Sequence, residues 1–316
     1  MKSKNRNFSR IIFDMDGVLY RGHTPIPGAA QALDKIRQAG YPISFVTNNA
    51  TRSRAELQRR MKKMGIRAHP DEIMTSAYAA GCYLKGMKQK PKSVYVIGER
   101  GLKNELRSAG FSVLPLHLRG ERESTTTFSR LSNSELHPAS HVLVSGLDRH
   151  LTYAKLAAGL DMLNAGASWV ACNLDPTLPM ENGVHPGSGS LGACLAYAAG
   201  QVRPDEPGRR GRPGARKAGA HFSNIILREP DVVVGKPTTY MLDMICKKCS
   251  PAQRRSILFV GDRLDMDIAF ASAGGLSSLL VLSGVAKKEE AKRAKGSLKP
   301  GAILNSVAEL PKWLGV

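Results

Sequence analysis

Asp14 and Asp16 stand two residues apart, directly after the apolar run Ile11-Ile12-Phe13 and directly before Gly17. In an extended chain, side chains at that spacing point the same way. Two like charges then share a small volume, which is unfavourable unless a cation or a shared proton relieves the repulsion. The theme returns near the C-terminus, where Ile257-Leu258-Phe259-Val260 leads into Gly261-Asp262-Arg263-Leu264-Asp265-Met266-Asp267. Two other apolar runs end in complementary groups. Ile43-Ser44-Phe45-Val46 runs into Thr47-Asn48-Asn49, and Val232-Val233-Val234 runs through Gly235 into Lys236-Pro237. Each motif alone also suits an ordinary Asp-Gly turn, an Asn-rich turn or a surface lysine.

Together they suit something narrower. Each run reads as a short buried strand, and open α/β sheets place their sites at the carboxyl ends of strands. If the four strands are neighbours in one parallel sheet, Asp14, Asp16, Thr47, Asn48, Lys236, Asp262 and Asp267 meet in one pocket. Carboxylates at that density call for a hard divalent cation, and an oxygen-rich site suits Mg²⁺ held partly by water and a substrate phosphate. A hydroxyl and an ammonium are what a phosphate in the same pocket needs. An aspartate there can serve as a nucleophile through an aspartyl-phosphate.

In this order the motifs resemble the haloacid dehalogenase superfamily, and within it the p-nitrophenylphosphatase, phosphoglycolate phosphatase and pyridoxal phosphatase branch. The matching segments are Asp14-Met15-Asp16-Gly17-Val18-Leu19, Thr47-Asn48-Asn49, Asn173-Leu174-Asp175, Pro186-Gly187-Ser188-Gly189, Val234-Gly235-Lys236-Pro237 and Gly261 to Ile268. The resemblance implies an α/β fold: a Rossmann-like parallel-sheet core with an inserted α/β cap of the C2 type. It implies core segments at residues 1–89 and 230–316 and a cap at 90–229. By the same resemblance Asp14 is the nucleophile, and Asp16 protonates the leaving group and then activates water. Thr47 and Lys236 hold the phosphoryl oxygens, with Asn48, Asn49, Asn173 and Asp175 as further substrate-binding candidates. Mg²⁺ would sit on Asp14, the Asp16 carbonyl and Asp262, with Asp267 supporting it through water. An Asp at the second motif position favours phosphatase over the dehalogenases and ion-pumping ATPases of the superfamily. Two departures stand out: Ala50 replaces the Ser or Thr usual after the two asparagines, and residues 201–229 are extra.

The elements that must position these residues read as alternating strands and helices, the signature of an α/β layer. Helical spacing covers Ala29 to Gly40, Arg54 to Met64, Glu72 to Met87, Leu102 to Gly110, Tyr153 to Gly166, Leu191 to Ala199 and Thr239 to Lys248. Further strands are expected at Val94 to Ile97, His141 to Gly146 and Ser168 to Cys172, with Leu279 to Leu282 the last. Pro176, Pro179, Gly183 and Pro186 read as a long loop, and Lys287 to Lys299 as a charged helix on a solvated face.

At 316 residues and 42% hydrophobic, the chain can bury a full core and form two domains. No apolar run reaches spanning length and the basic N-terminus lacks an apolar signal region, so a soluble, cytoplasmic protein without membrane contact is expected. Five scattered cysteines argue for a reducing compartment rather than a disulfide framework, and Cys246-Lys247-Lys248-Cys249 is a lone pair without a second knuckle. The formal charge of +20 attracts anions: phosphorylated metabolites, nucleic acid or acidic lipid. The run Gly208-Arg209-Arg210-Gly211-Arg212 carries that charge into a segment with no core-forming residues. The expected partners are therefore a small phosphorylated substrate and, through this segment, a weak polyanion contact, with a homodimer through the cap. A polyanion-binding protein on the same scaffold, with little activity, is the competing function class. It fits less well, because Asp14, Asp16, Lys236 and Asp262 are all retained.

Overall fold

The computed structural model describes residues 8–91, 93–114, 141–180, 183–202 and 225–316. The expected hairpin or loop at 120–140 and the arginine-rich run at 208–217 lie outside the described residues.

Two parallel sheets build the molecule. The larger has six strands in the order Ala302–Leu304, Ser277–Val281, Ile257–Gly261, Arg10–Phe13, Ile43–Thr47, Ile73–Thr75. Every pairing in it is parallel. The first strand in sequence thus lies between the second and a strand near the C-terminus. Strand order reverses there, and such a switch point is where an open α/β sheet leaves a crevice at its carboxyl edge. The smaller sheet orders Val232–Val233, Ser168–Ala171, His141–Ser145, Ser93–Ile97, Ser112–Val113, again all parallel.

Side-chain alternation explains how the sheets are covered. On the first strand Ile11 and Phe13 enter one apolar cluster and Ile12 the opposite one, as a period of two dictates. The cluster that takes Ile12 also takes Val94, Val96, Val142 and Val144 of the smaller sheet, so a single apolar layer is continuous across both sheets. Tyr95, Ile97, Leu143 and Trp169 face the other way, against Ala158, Met162 and Leu195. Helix Ala29–Gln38 buries Ala29, Ala32, Leu33 and Ile36, the stripe expected of a helix lying on a sheet. Helix Arg54–Lys63 starts at a Ser53 capping box closed by Glu56, which satisfies two of its orphan amide donors.

Several expectations need correction. The stretch from Glu72 is not helical at its start: Ile73–Thr75 is the edge strand of the large sheet, and the helix is Ser76–Gly86. Leu279 to Leu282 is not the last strand, since Ala302–Leu304 pairs beyond it. The charged helix spans only Lys288–Arg293: the backbone turns extended at Ala294 (ψ 136°), and Gly296 (φ +56°) then opens a single 3-10 turn. The Pro-rich loop after Asp175 contains an antiparallel pair, Thr177–Met180 with Gly183–Pro186. The helix from Thr239 stops at Ile245, leaving Cys246 as its cap. Most consequential, Val232–Val233 is a half-buried edge strand of the smaller sheet, not a neighbour of the other three in the larger one. At the ends of the extra segment, Gln201–Val202 pairs with Ile225–Ile226. Among the described residues, no helix is long and apolar enough to cross a membrane.

Candidate active site

Three adjacent strand ends place Asp14, Thr47 and Asp262 side by side, and all three residues are buried. Lys236 arrives from the other sheet and is also buried, at 3% exposure. Its ammonium donates to Asp14 Oδ1 at 2.5 Å and to Asp267 Oδ1 at 2.6 Å. The second oxygen of Asp267 accepts the backbone N–H groups of Asp262 and Arg263, both at 3.0 Å. Asp267 reaches them because Leu264–Ile268 forms one wide π-turn that folds back on the strand end. A Cβ at Gly261 would lie 2.2 Å from that of Asp267, so only glycine permits the approach. Asp262 is fixed by the N–H of Val285, which donates to its Oδ2 at 2.8 Å. Gly17, at φ +78°, packs against the same carboxylate: a Cβ there would stand 2.3 Å from Oδ2.

The electrostatics follow from this crowding. Carboxylate oxygens of Asp14, Asp262 and Asp267 lie within 4.8 Å of one another, with one ammonium among them. Burial pushes the Asp14 carboxyl up to about 7 against the pull of Lys236, with Asp267 adding to the rise. Burial, reinforced by Asp267 and Asp14, raises Asp262 well above the usual carboxylate range. Burial works against the charge on Lys236 too, but the two carboxylates outweigh it and hold the ammonium above the ordinary lysine value. Three carboxylates on one ammonium are short of positive charge, and a divalent cation is the simplest complement.

Asp16 differs. Its side chain reaches solvent, yet enclosure by the surrounding protein raises its pKa, opposed by Arg60, by the N–H of Gly22 and by Lys236. Arg60 holds the Gly22 carbonyl and stacks its guanidinium 4.7 Å from the centre of the Tyr20 ring. Arg60 sits on the cation-rich helix Arg54–Lys63. No local signal turns it inward, because its partners lie about 40 residues upstream.

The other candidates fall into two groups. Thr47 points its hydroxyl oxygen at the N–H of Asn49 (3.1 Å), which leaves the hydroxyl proton to donate elsewhere. Asn48, Asn173 and Asp175 are tied to one another and to Lys236 in a joint of hydrogen bonds. Asn48 accepts from the N–H of Lys236 and donates to its carbonyl and to Asp175, while Asn173 donates to the Asn48 carbonyl. That joint fixes the backbone carrying Lys236 to the Thr47 strand. Asn49 caps its own turn through Thr51. Ala50 is buried in the apolar layer shared by the two sheets, so its side chain packs inward.

Comparisons with known proteins identify the family. Residues 11–112 match the family described as haloacid dehalogenase-like hydrolase, and residues 233–310 match a second, described as HAD-hydrolase-like. The chain is similar to a chloroplastic phosphoglycolate phosphatase 1A of Arabidopsis thaliana, with 32% identity over 94% of this chain and 75% of the relative. It is similar to a 4-nitrophenylphosphatase of Schizosaccharomyces pombe, at 31% identity over 96% and 93%. Among solved structures, a glycerol phosphate phosphatase of Mycobacterium tuberculosis in complex with magnesium superposes with a TM-score of 0.73. Its identity is 30%, over 99% of this chain and 78% of that one.

Proposed function

The chain belongs to the haloacid dehalogenase-like hydrolases and is a phosphoric monoester hydrolase, and from that premise we propose that it releases phosphate from small phosphorylated metabolites through a phosphoaspartyl intermediate on Asp14. The observation that carries this reading is the position of Asp14: buried at the switch point, with one carboxylate oxygen held by Lys236. The other oxygen is left to attack.

In this reading Asp14 forms an O–P bond in line with the bond to the leaving oxygen, which breaks as Asp16 delivers its proton. Water then attacks phosphorus, Asp16 takes up the proton, and Asp14 is regenerated as phosphate leaves. A raised pKa suits the first role, since Asp16 must carry a proton near working pH. The Thr47 hydroxyl and Lys236 bind the phosphoryl oxygens. Asp267 acts behind them by aiming Lys236 and by tying down the Asp262 loop. The cap is the smaller sheet, which continues through Val232–Val233 before the chain re-enters the core at Lys236.

The donor set fits Mg²⁺: hard carboxylate oxygens on Asp14 and Asp262, both with pKa raised by burial and by neighbouring carboxylates, and a glycine wall that leaves Asp262 no room to swing away. Asp14, Asp262 and the Asp16 carbonyl would hold it, with Asp267 behind them. Bound there, the ion supplies charge neutralisation at the phosphoryl group, so that an anionic nucleophile can approach it.

Chelation is expected to abolish hydrolysis of p-nitrophenyl phosphate and added Mg²⁺ to restore it. Asp262→Ala should raise the Mg²⁺ concentration needed for half-maximal rate by at least about tenfold, or abolish activity, because one of two anionic donors is gone. Full activity in excess chelator would refute the metal's part in the reading. The substrate class is tested by measuring phosphate release across a panel of phosphorylated metabolites.

A further inference from the structure

Just past Asp16 the chain folds back on itself. Tyr20–Arg21 pairs antiparallel with Thr24–Pro25, leaving Gly22-His23 as the turn, with Gly22 at φ +49°. Glycine takes that left-handed conformation without steric cost. A hairpin this short cannot hold itself and must be held from outside. It carries something the reaction needs, because the N–H of Gly22 donates to the Asp16 carboxylate. Its base is joined to the same loop by the backbone. Asp16 and Tyr20 form a β-bridge, and the N–H of Gly17 donates to the Tyr20 carbonyl at 2.8 Å.

Two arginines grip the hairpin. Arg21 donates from Nε to the Ser283 carbonyl, and the Ser283 hydroxyl donates to the Gly17 carbonyl at 2.7 Å. Arg60 reaches it from helix Arg54–Lys63. It follows the buried Leu57 by three residues and precedes the buried Met61, so it lies along the inward stripe of that helix. It is half-buried, where its neighbour Arg59 is exposed. Its guanidinium donates to the Gly22 carbonyl and stacks 4.7 Å from the centre of the Tyr20 ring. One side chain thus grips both the residue whose N–H meets Asp16 and the ring at the hairpin's base. Tyr20 is fully buried, yet its hydroxyl has no hydrogen-bond partner among the described residues. An unpaired buried hydroxyl is unfavourable, so it is the face of the ring, as a seat for a cation, that holds the contact together.

We propose that Arg60 is a positioning residue for Asp16: by fixing the Tyr20–Pro25 hairpin it keeps the Asp16 carboxyl aimed at the leaving oxygen. The inference rests on the phosphatase reading above and deepens it, adding a residue from a separate helix that touches neither substrate nor phosphorus.

The leaving group separates this role from a merely structural one. Phenyl phosphate and p-nitrophenyl phosphate differ by one nitro group, but only phenolate needs a proton in order to leave well. The value of kcat/KM covers the steps up to loss of the leaving group, so the later water step does not enter it. Arg60→Met should cut kcat/KM for phenyl phosphate by about tenfold or more, and for p-nitrophenyl phosphate by about threefold at most. Arg60→Lys keeps a cation over the ring and should recover most of the loss. Tyr20→Phe removes only the unpaired hydroxyl and should keep the wild-type ratio between the two esters. A shift there as large as in Arg60→Met would overturn the ring's part as the seat. Asp16→Asn, read from release of the phenol in a single turnover, is the control and should show the same split at about a hundredfold or more. Circular dichroism checks each fold, and Arg60→Gln repeats the test should methionine not be tolerated. Equal losses on both esters in the Arg60 variants, with the split present in Asp16→Asn, would overturn the inference and leave the phosphatase reading standing. Equal losses in Asp16→Asn would instead remove the acid role of Asp16, and the inference with it.

Discussion

Replacing Asp14 by Asn is expected to leave a folded chain whose hydrolysis of p-nitrophenyl phosphate falls by at least about a thousandfold. The amide keeps the size of the side chain and can still meet Lys236 through its oxygen, so the packing between the strand ends survives. It loses the charge that attacks phosphorus, and neither the ammonium of Lys236 nor a metal can restore a nucleophile. Steady-state rates with matched circular dichroism spectra are the measurement. A rate within about tenfold of wild type would remove Asp14 from the nucleophile's role.

Lys236→Met carries the second large effect, and it acts on stability as well as rate. Methionine nearly matches the lysine stem in shape but offers no donor, so Asp14 and Asp267 lose their shared ammonium in a buried site. Breaking a buried ion pair by removing one partner costs about 3–5 kcal/mol. The cost is greatest where Asp14 remains charged. As pH falls through the raised range in which burial holds its carboxyl, about 7 with the ammonium in place, Asp14 takes up a proton and the deficit shrinks. Chemical denaturation at two pH values reads this: a clear loss of stability near neutrality, smaller in mild acid. Turnover should fall by at least about a hundredfold, since the phosphoryl oxygens lose their buried cation. A variant as stable as wild type at neutral pH would show that the ammonium does not bind the cluster together.

The contrast between these two residues shows what was legible in the sequence. Asp14, Thr47 and Asp262 each follow an apolar run, and the runs are true neighbours in one sheet. A short buried strand that stops at a polar group announces itself locally. Lys236 follows an equally plain run of valines, yet its strand belongs to the other sheet. Sheet membership is decided by partners far away in the chain, here Val170 and Ala171, and no local pattern encodes them. Asn48 fails the local test for the same reason. Read alone it is an Asn-rich turn or a phosphate contact. Its amide in fact joins Lys236 and Asp175, 188 and 127 residues further along.

The missed elements have simpler causes. Ile73–Thr75 and Ala302–Leu304 are three-residue edge strands, too short for an alternating pattern to show. The pair Thr177–Met180 and Gly183–Pro186 is largely exposed and contains two prolines, which argue against strand wherever a central ladder is assumed. Arg60 lay hidden on a helix with so many cations that its inward face could not be told from its outward one. The six-residue acidic segment after Gly261 was legible as a ligand cluster. That Asp267 turns back on Lys236 was not, because the turn is a π-turn and breaks the usual spacing.

The most direct measurement is chemical trapping of the intermediate. p-Nitrophenolate leaves without needing a proton, so Asp16→Asn should still permit attack by Asp14 while depriving the water step of its base. The phosphorylated enzyme should then accumulate. Acid quench during reaction of that variant with p-nitrophenyl phosphate, followed by peptide mass mapping, is expected to place one phosphoryl group on Asp14. Release of p-nitrophenol with no phosphoryl group on the chain, or with the group on any other residue, would contradict the nucleophilic role of Asp14.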